Sequence, residues 1–359
     1  MTTVLTYMTR ALELAELGRY TVSPNPMVGC VLVKDNEIIG TGYHQKAGEH
    51  HAEILALQQA GERAMGATAY VTLEPCCHHG RTPPCTLALI TAGIKKVVVA
   101  CQDPNPLIAG KGIAQLHDAG IEVEVGLGHD EATKLNKTFF HYIKTKRPYV
   151  IAKWAMSLDG KTVTAPTDSK QISNIETQQD AHELRQQVDA ILIGAQTARM
   201  DNPQLTARLN LQENAKQPLR IILSHDANLP PDLIVFNQKS SAKTLLAVCV
   251  PKLENESFWY SQGIDILYCL SNETGDLDLH NLLQQLGQRE ITSVLVEGGE
   301  MVRRQFFTEN LVNQVHVYIA PNIIDGFTKK QILQNVETTT YGTDFKISAE
   351  FSTNSHVRN

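Results

Sequence analysis

Between His51 and Cys85 the chain carries His51-Ala52-Glu53 and then Leu73-Glu74-Pro75-Cys76-Cys77-His78-His79-Gly80-Arg81-Thr82-Pro83-Pro84-Cys85. Imidazole and thiolate are donors that zinc takes, and a catalytic zinc site keeps three protein ligands and leaves the fourth position to water. The metal lowers the pKa of that water toward neutrality, which makes hydroxide available to attack a polarised C=N carbon. A second group must then move protons, and Glu53, two positions after His51, is a carboxylate suited to that task. On a regular helix residues i and i+2 lie roughly 200° apart at 3.6 residues per turn. His51 is therefore expected at or before the first turn of the helix that carries Glu53.

Cys76 follows Pro75 and Cys85 follows Pro84. A proline at or near a helix start leaves the following amides pointing outward, and that environment lowers a thiol pKa. Cys76 and Cys85 are thus the expected ligands beside His51, and Cys77 is left out. Eight residues, Cys77 to Pro84, separate the pair, a departure from the short Pro-Cys-x-x-Cys spacing of the zinc deaminase signature. The same residues also fit a structural zinc site built from His51 or His78 with three cysteines, or buried cysteines without a metal. A structural site, however, gives no reason for Glu53.

The elements that must hold these groups alternate between strand and helix. Apolar spacing predicts a helix from Tyr7 to Gly18, a turn at Ser23-Pro24-Asn25-Pro26, and a hairpin of Val28–Val33 with Ile38–Tyr43. A helix over Ile54–Ala60, a strand over Ala69–Leu73, a helix over Cys85–Ala92, and buried strands at Val97–Cys101 and Ile121–Val125 around a helix over Gly112–Ala119 follow. After a basic, polar run from His141 to Pro148, strands are expected at Tyr149–Ala155, Ala190–Gly194, Leu219–Leu223, Thr244–Val250, Ser293–Val296 and Gln314–Ala320. Helices are expected at Glu176–Val188, Leu279–Gly287 and Met301–Glu309, with a polar, poorly patterned stretch before Leu279 and a last dozen residues polar enough to fray. This is an α/β layer pattern.

A chain of 359 residues is long for one core, so two domains are expected, 1–146 and 147–359, divided at the basic run. With 32 Lys and Arg against 38 Asp and Glu, the formal charge of -6 opposes non-specific attraction to nucleic acid or anionic lipid. Phosphate binding then has to be local. No apolar run approaches the roughly 18 residues of a membrane span, and the first residues lack a signal-peptide pattern, so a cytoplasmic protein is expected. Seven cysteines, three of them between Cys76 and Cys85, favour metal binding over a disulfide framework.

Further residues make the pattern specific. Asn25-Pro26-x-Val28-Gly29, Gly42-Tyr43-His44, His51-Ala52-Glu53, Glu74-Pro75-Cys76 through Cys85, and Asp103-Pro104-Asn105-Pro106 with Gly110-x-Gly112 resemble the bifunctional deaminase/reductase family of riboflavin biosynthesis. The resemblance runs from about Tyr7 to about Asp325, and in that family the longer cysteine spacing is the usual one. It implies a cytidine-deaminase-like amino-terminal domain that hydrolytically removes the 2-amino group of 2,5-diamino-6-(5-phosphoribosylamino)pyrimidin-4-one. His51, Cys76 and Cys85 would hold one zinc ion, with Glu53 carrying protons from water to the leaving ammonia. Asn25, His44, His79 and Arg81 would meet the substrate.

The carboxy-terminal half has weaker motifs of its own. Val294-Leu295-Val296-Glu297-Gly298-Gly299 is a buried strand that runs into paired glycines and a helix, an arrangement that lets backbone amides approach a phosphate, although such turns are also ordinary connections. It is not the six-residue dinucleotide fingerprint. The resemblance implies a dihydrofolate-reductase-like domain that reduces the ribosyl side chain to ribityl with NADPH. Ala155, Ser157, Gln171, Thr197, Asp201, Gly299, Glu300, Met301 and Val302 fall at its cofactor positions. Ser169, Arg185, Leu205, Arg208 and Glu297 fall at its substrate positions, and the two arginines suit a phosphate because planar guanidinium donors fit its oxygens in pairs. Lys153 and Glu297 are the ionisable groups for the imine or its proton, with a surface salt bridge as the plainer reading. Glu300 is expected to turn outward as a helix-start charge. The strand end Leu223-Ser224-His225 lacks the family's frequent Asp-Ser pair, so NADPH rests on the resemblance.

Two other readings remain open from the residues: a zinc deaminase of another nucleobase, nucleoside or tRNA with a carboxy-terminal binding module, and a zinc-stabilised binding protein. The acidic balance opposes tRNA. The expected partners are a small phosphorylated pyrimidine and, as reductase domains of the family commonly pair, a second copy of the chain; neither nucleic acid nor membrane is expected.

Overall fold

Runs such as Cys30-Val31-Leu32-Val33 and Val97-Val98-Val99 are apolar at consecutive positions, the pattern of strands covered on both faces. A computed structural model of the protein, describing residues 2–78, 84–157, 160–162, 175–208, 216–237, 241–320 and 333–351, has them so covered. The chain forms two compact units, Met1–Lys146 and Arg147–Asn359.

The first unit runs α1 (Thr2–Glu16), β1 (Gly29–Lys34), β2 (Glu37–Tyr43), α2 (Ala52–Ala60), β3 (Thr68–Val71), α3 (Cys85–Thr91), β4 (Lys96–Val99), α4 (Lys111–Asp118), β5 (Glu122–Val125), α5 (His129–Leu135) and α6 (Lys137–Thr145). The sheet order is β2-β1-β3-β4-β5, antiparallel on either side of β1 and parallel from β3 to β5. Alternate side chains divide between two cores, one with Ala52, Ala56, Leu89 and Leu116 from α2, α3 and α4, the other with Met8, Ala11 and Ala132 from α1 and α5.

The second unit runs β6 (Tyr149–Ser157), α7 (Ile175–Gln187), β7 (Ala190–Gly194), α8 (Ala195–Asp201), β8 (Leu219–Leu223), α9 (Ile234–Asn237), β9 (Thr244–Val248), α10 (Glu256–Ser261), β10 (Asp265–Tyr268), α11 (Leu279–Gln288), β11 (Ser293–Val296), α12 (Glu300–Thr308), β12 (Gln314–Ala320), β13 (Leu333–Tyr341) and β14 (Asp344–Phe351). Its nine strands lie in the order β10-β9-β8-β7-β11-β6-β12-β14-β13. All neighbours are parallel except the last three strands, where β14 runs antiparallel to both β12 and β13. Among the described residues no helix is long and apolar enough to cross a membrane.

Several expectations change. The strand over Ile121–Val125 is not buried: Glu122, Glu124 and Val125 are exposed because β5 is the sheet edge, and Lys96 pairs with both carboxylates. The basic run at 141–148, where the two units divide, begins as the end of α6, a helix whose polar sequence hides its period; Phe139 and Phe140 pack on the core beneath α1. The stretch before Leu279 contains α10 and β10. Of the last dozen residues, 348–351 complete β14 and do not fray, and 352–359 lie outside the described residues.

Candidate active sites

His51 is the N-cap of α2, with extended backbone at φ -75° and ψ 162°, so its side chain and that of Glu53 in the first turn can face one place. Close packing of α2 on β2 fixes that place. A Cβ on Gly42 would lie 2.2 Å from the Ala52 carbonyl oxygen, and only glycine admits the approach. Pro84 caps α3, and Cys85 opens it.

His51 Nδ1 lies 3.2 Å from Cys85 Sγ and 3.6 Å from Cys76 Sγ, and the three donor atoms all fall within 4.8 Å of one another. Tetrahedral zinc, with metal–sulfur bonds of about 2.3 Å and metal–nitrogen bonds of about 2.0 Å, separates such donors by roughly 3.6 Å. The donor set therefore fits zinc in both chemistry and spacing. It is the one His, Cys and carboxylate group of this kind among the described residues. A hydrogen bond from Cys85 leads the lowering of the Cys76 thiol to about 4, while the same bond and burial push the Cys85 thiol upward. Glu53 is 3% exposed, and burial, followed by the Cys76 charge, raises its carboxyl to about 7.

Asn25 and His44 join this cluster. The His44 ring stands edge-on to that of His51, with centroids 5.3 Å apart. His44 Nδ1 faces the His50 carbonyl at 3.1 Å, which can only accept, so Nδ1 carries the proton and Nε2 accepts from Asn25 Nδ2 at 3.0 Å. Burial lowers the His44 pKa, consistent with this neutral ring. Asn136, between α5 and α6, bonds both the amide and the carbonyl of Met27 at 2.8 Å and so holds the Asn25 loop.

Glu74, two residues before Cys76, is a buried acceptor for the backbone amides of Asp103, Gly110, Gly112 and Ile113. It clamps the 103–113 segment beneath Pro75, whose carbonyl oxygen would sit 2.2 Å from a Cβ on Gly112. His79 and Arg81 lie outside the described residues.

In the second unit Glu297, just past β11, is the centre. Arg185 of α7 approaches it with Nε 2.6 Å from Oε1 and Nη2 2.9 Å from Oε2, and Lys153 of β6 brings Nζ to 3.3 Å of Oε2. Side-chain exposures of 8% for Glu297, 14% for Arg185 and 15% for Lys153 exclude a surface salt bridge. Burial opposes ionisation of Glu297, but the Arg185 and Lys153 charges outweigh it and hold the carboxyl well below the usual range. Arg185 also donates to the Thr206 carbonyl, so most of its fork is engaged inside the protein.

Arg208 is exposed and lies 3.2 Å from His182 Nε2; Leu205, three residues earlier in the chain, is buried and has a φ of 52°. Burial first, and Arg185 second, lower His182 to about 4, so the ring accepts from Arg208 while Nδ1 donates to the Thr206 carbonyl. At the glycine turn, Gly299 is the N-cap of α12 and its amide bonds Thr197 Oγ1 at 3.0 Å. Glu300 and Met301 are exposed, whereas Val302 packs inward, so close that a Cβ on Gly194 or Gly298 would meet it at 2.8 or 3.0 Å. Gly194 and Gly298 are buried beneath Val302, and exposed Gly299 opens the helix start, an arrangement suited to a nucleotide phosphate. Ala155 and Ser157 end β6, and Asp201 is exposed at the end of α8, one helical turn beyond Thr197. Ser169 and Gln171 lie outside the described residues. Sequence reasoning passed over His182, although it falls three residues before Arg185 on one helix, a spacing that puts both on one face.

Comparison with known proteins agrees with both halves. Residues 148–353 match the RibD C-terminal domain family and residues 1–101 the cytidine and deoxycytidylate deaminase zinc-binding region. The riboflavin biosynthesis protein RibD of Actinobacillus pleuropneumoniae is 45% identical over 324 residues, covering 90% of this chain and 85% of that protein. Its namesake in Escherichia coli is 44% identical over 328 residues, 89% of this chain and 88% of that one. Among solved structures, Acinetobacter baumannii RibD has a TM-score of 0.87 at 38% identity, over 98% of this chain and 99% of that chain. A diaminohydroxyphosphoribosylaminopyrimidine deaminase/5-amino-6-(5-phosphoribosylamino)uracil reductase from Thermotoga maritima has a TM-score of 0.83 at 34% identity, with the same coverage.

Proposed function

Since the chain belongs to the RibD family, the bifunctional deaminase/reductases of riboflavin biosynthesis, we propose that the two clusters described above divide the two reactions between them. In this family the amino-terminal unit is cytidine-deaminase-like and zinc-dependent, and the carboxy-terminal unit is a dihydrofolate-reductase-like, NADPH-dependent domain. The observation that carries the assignment is the convergence of His51, Cys76 and Cys85 beside buried Glu53.

In the first unit His51, Cys76 and Cys85 would hold zinc, which when bound supplies Lewis acidity that makes water a nucleophile near neutral pH. Glu53 takes a proton as the new C–O bond forms at C2 of the diaminopyrimidine and returns it to the amino nitrogen, so that C–N cleavage releases ammonia. Asn25 and His44 orient the ring, and His79 and Arg81 follow as contacts to ring or phosphate.

In the second unit NADPH, when bound, supplies a hydride to C1 of the opened ribosyl imine. Lys153, placed by Glu297, holds or protonates the imine nitrogen. Arg185 keeps Glu297 ionised, and exposed Arg208 meets the substrate phosphate along with Ser169 and Leu205. Ala155, Ser157, Gln171, Thr197, Asp201 and the turn from Gly299 to Val302 line the cofactor. The boundary between the functions falls at 146/147. Thiolate ligands call for a reducing compartment, which supports a cytoplasmic enzyme, and a homo-oligomer is the expectation carried over from the common pairing of reductase domains in the family.

The test is direct: Glu53→Gln should keep its zinc, lose deamination, and still oxidise NADPH when given the deaminated phosphoribosylaminouracil. Unimpaired deamination by a zinc-loaded variant would remove Glu53 from the mechanism.

A further inference from the structure

Lys153 has a second neighbour besides Glu297. Its Nζ stands over the ring of Tyr318, 5.6 Å from the centroid. Tyr318 is fully buried on β12, beside β6, and the register pairs it with Ala155 while His316 faces Lys153. Residues that alternate along a strand share a face, so Lys153 and Tyr318 are diagonal neighbours on one side of the sheet. The Tyr318 hydroxyl donates to Asp180 Oδ2 at 2.5 Å. Asp180 lies on α7, five residues before Arg185, and also accepts from the Tyr341 hydroxyl at 2.9 Å and from Lys346 Nζ at 3.1 Å. Burial opposes its charge, but these donors keep Asp180 a carboxylate, and burial together with that carboxylate keeps Tyr318 protonated as the donor.

Among the ties between this helix and the strands are Asp180 on Tyr318 and Arg185 on Glu297, and Lys153 stands between these two. We infer that Asp180 and Tyr318 are positioning residues for the reduction: the Tyr318 ring, locked by its bond to Asp180, fixes where the Lys153 ammonium stands against Glu297. The ring face attracts the cation and limits its reach, and the carboxylate bond keeps the ring from turning. A lysine has four rotatable bonds, and without such a wall its ammonium would range over several positions around one carboxylate. This rests on the reading that Lys153 serves the reductase.

The experiment measures NADPH oxidation by the full chain with the deaminated substrate, for Tyr318→Leu, Tyr318→Phe, Asp180→Asn and Lys153→Met, with NADPH binding and deamination measured on the same preparations. Tyr318→Leu should lower the reductase kcat between about tenfold and a hundredfold, the effect of moving a catalytic group by an ångström or so. Its NADPH affinity should stay within about twofold, because the lost interaction belongs to the chemical step. Tyr318→Phe, which removes the bond, and Asp180→Asn, which leaves it only a neutral acceptor, should each fall part of the way, and combining them should be no worse than Tyr318→Phe alone, since both act on the same bond. Wild-type kcat in Tyr318→Phe, Asp180→Asn and Tyr318→Leu, with Lys153→Met inactive, overturns the inference. So does a loss that comes entirely as weaker NADPH binding, the mark of a merely structural role. Full activity of Lys153→Met instead overturns the reading of Lys153 itself. If Tyr318→Leu does not fold, the two milder variants decide.

Discussion

Glu53 and Glu297 are both buried carboxylates, and their neighbours send them in opposite directions. Burial and the Cys76 sulfur raise Glu53 to about 7, whereas two cations override burial at Glu297 and keep it charged. A group that titrates near neutrality can carry protons; one held ionised can only place a cation. Replacing Glu53 with Gln should therefore reduce deamination by about 10²- to 10⁴-fold with zinc content unchanged, measured by ammonia release and metal analysis. Acid should weaken the second unit. His182 is lowered to about 4 in the fold, so the unfolded chain protonates first, and the stability it contributes above a pH of about 6.5 is lost as pH falls toward 4. Glu297 is depressed too, and its contribution is lost below the unfolded value of about 4.3. Trp154 and Trp259 both lie in this unit, so urea unfolding followed by tryptophan fluorescence at pH 7 and pH 5 reports on it alone. The midpoint should drop at pH 5, and less so in His182→Asn; equal midpoints would mean that His182 is not held neutral. At this scale the convergence of His51, Cys76 and Cys85 was legible, because the cysteines follow Pro75 and Pro84 and His51 stands two positions before Glu53. The fork of Arg185 on Glu297 was not, since 112 residues separate the partners and nothing local to either announces the other.

At the scale of elements, apolar runs fixed the buried strands. β7, β8, β11 and β12 fall where the sequence placed them, because strands covered on both faces are mostly apolar, with Arg220, Ser293, Gln314 and His316 as their buried polar exceptions. Exposure hid part of the rest: β5 was expected as a strand but as a buried one, whereas β13, a largely exposed sheet edge, and α6, which buries no residue fully, show no clear period. These quiet elements still matter to the site, as Asn136 between α5 and α6 holds the Asn25 loop. The 103–113 segment depends on one side chain in the same way. Glu74→Leu leaves four backbone amides without their acceptor, at about 1–3 kcal/mol for each buried donor, and should destabilise the first unit by at least about 3 kcal/mol. Amide exchange in β3 and α4 measures this, and unchanged protection would contradict the clamp.

Over the whole molecule, two sheets with separate cores carry two sets of reactive groups on one chain. Division of labour follows, and a chelator that strips zinc should abolish ammonia release while leaving NADPH oxidation with the deaminated substrate at its original rate. Loss of both would tie the reductase to the metal, contrary to the donor set, which belongs wholly to the first unit. The family and both reactions were legible in the sequence because the motifs around His51 to Cys85 are dense; the second site was less so, since its residues are spread from Lys153 to Val302. The measurement that bears most directly on the account is simultaneous recording of ammonia and of nicotinamide absorbance after the intact chain meets the diaminopyrimidine and NADPH. Ammonia should appear first, NADPH should then be consumed mole for mole, and Glu53→Gln should suppress both until deaminated substrate is added. Ammonia release with constant nicotinamide absorbance would contradict the account.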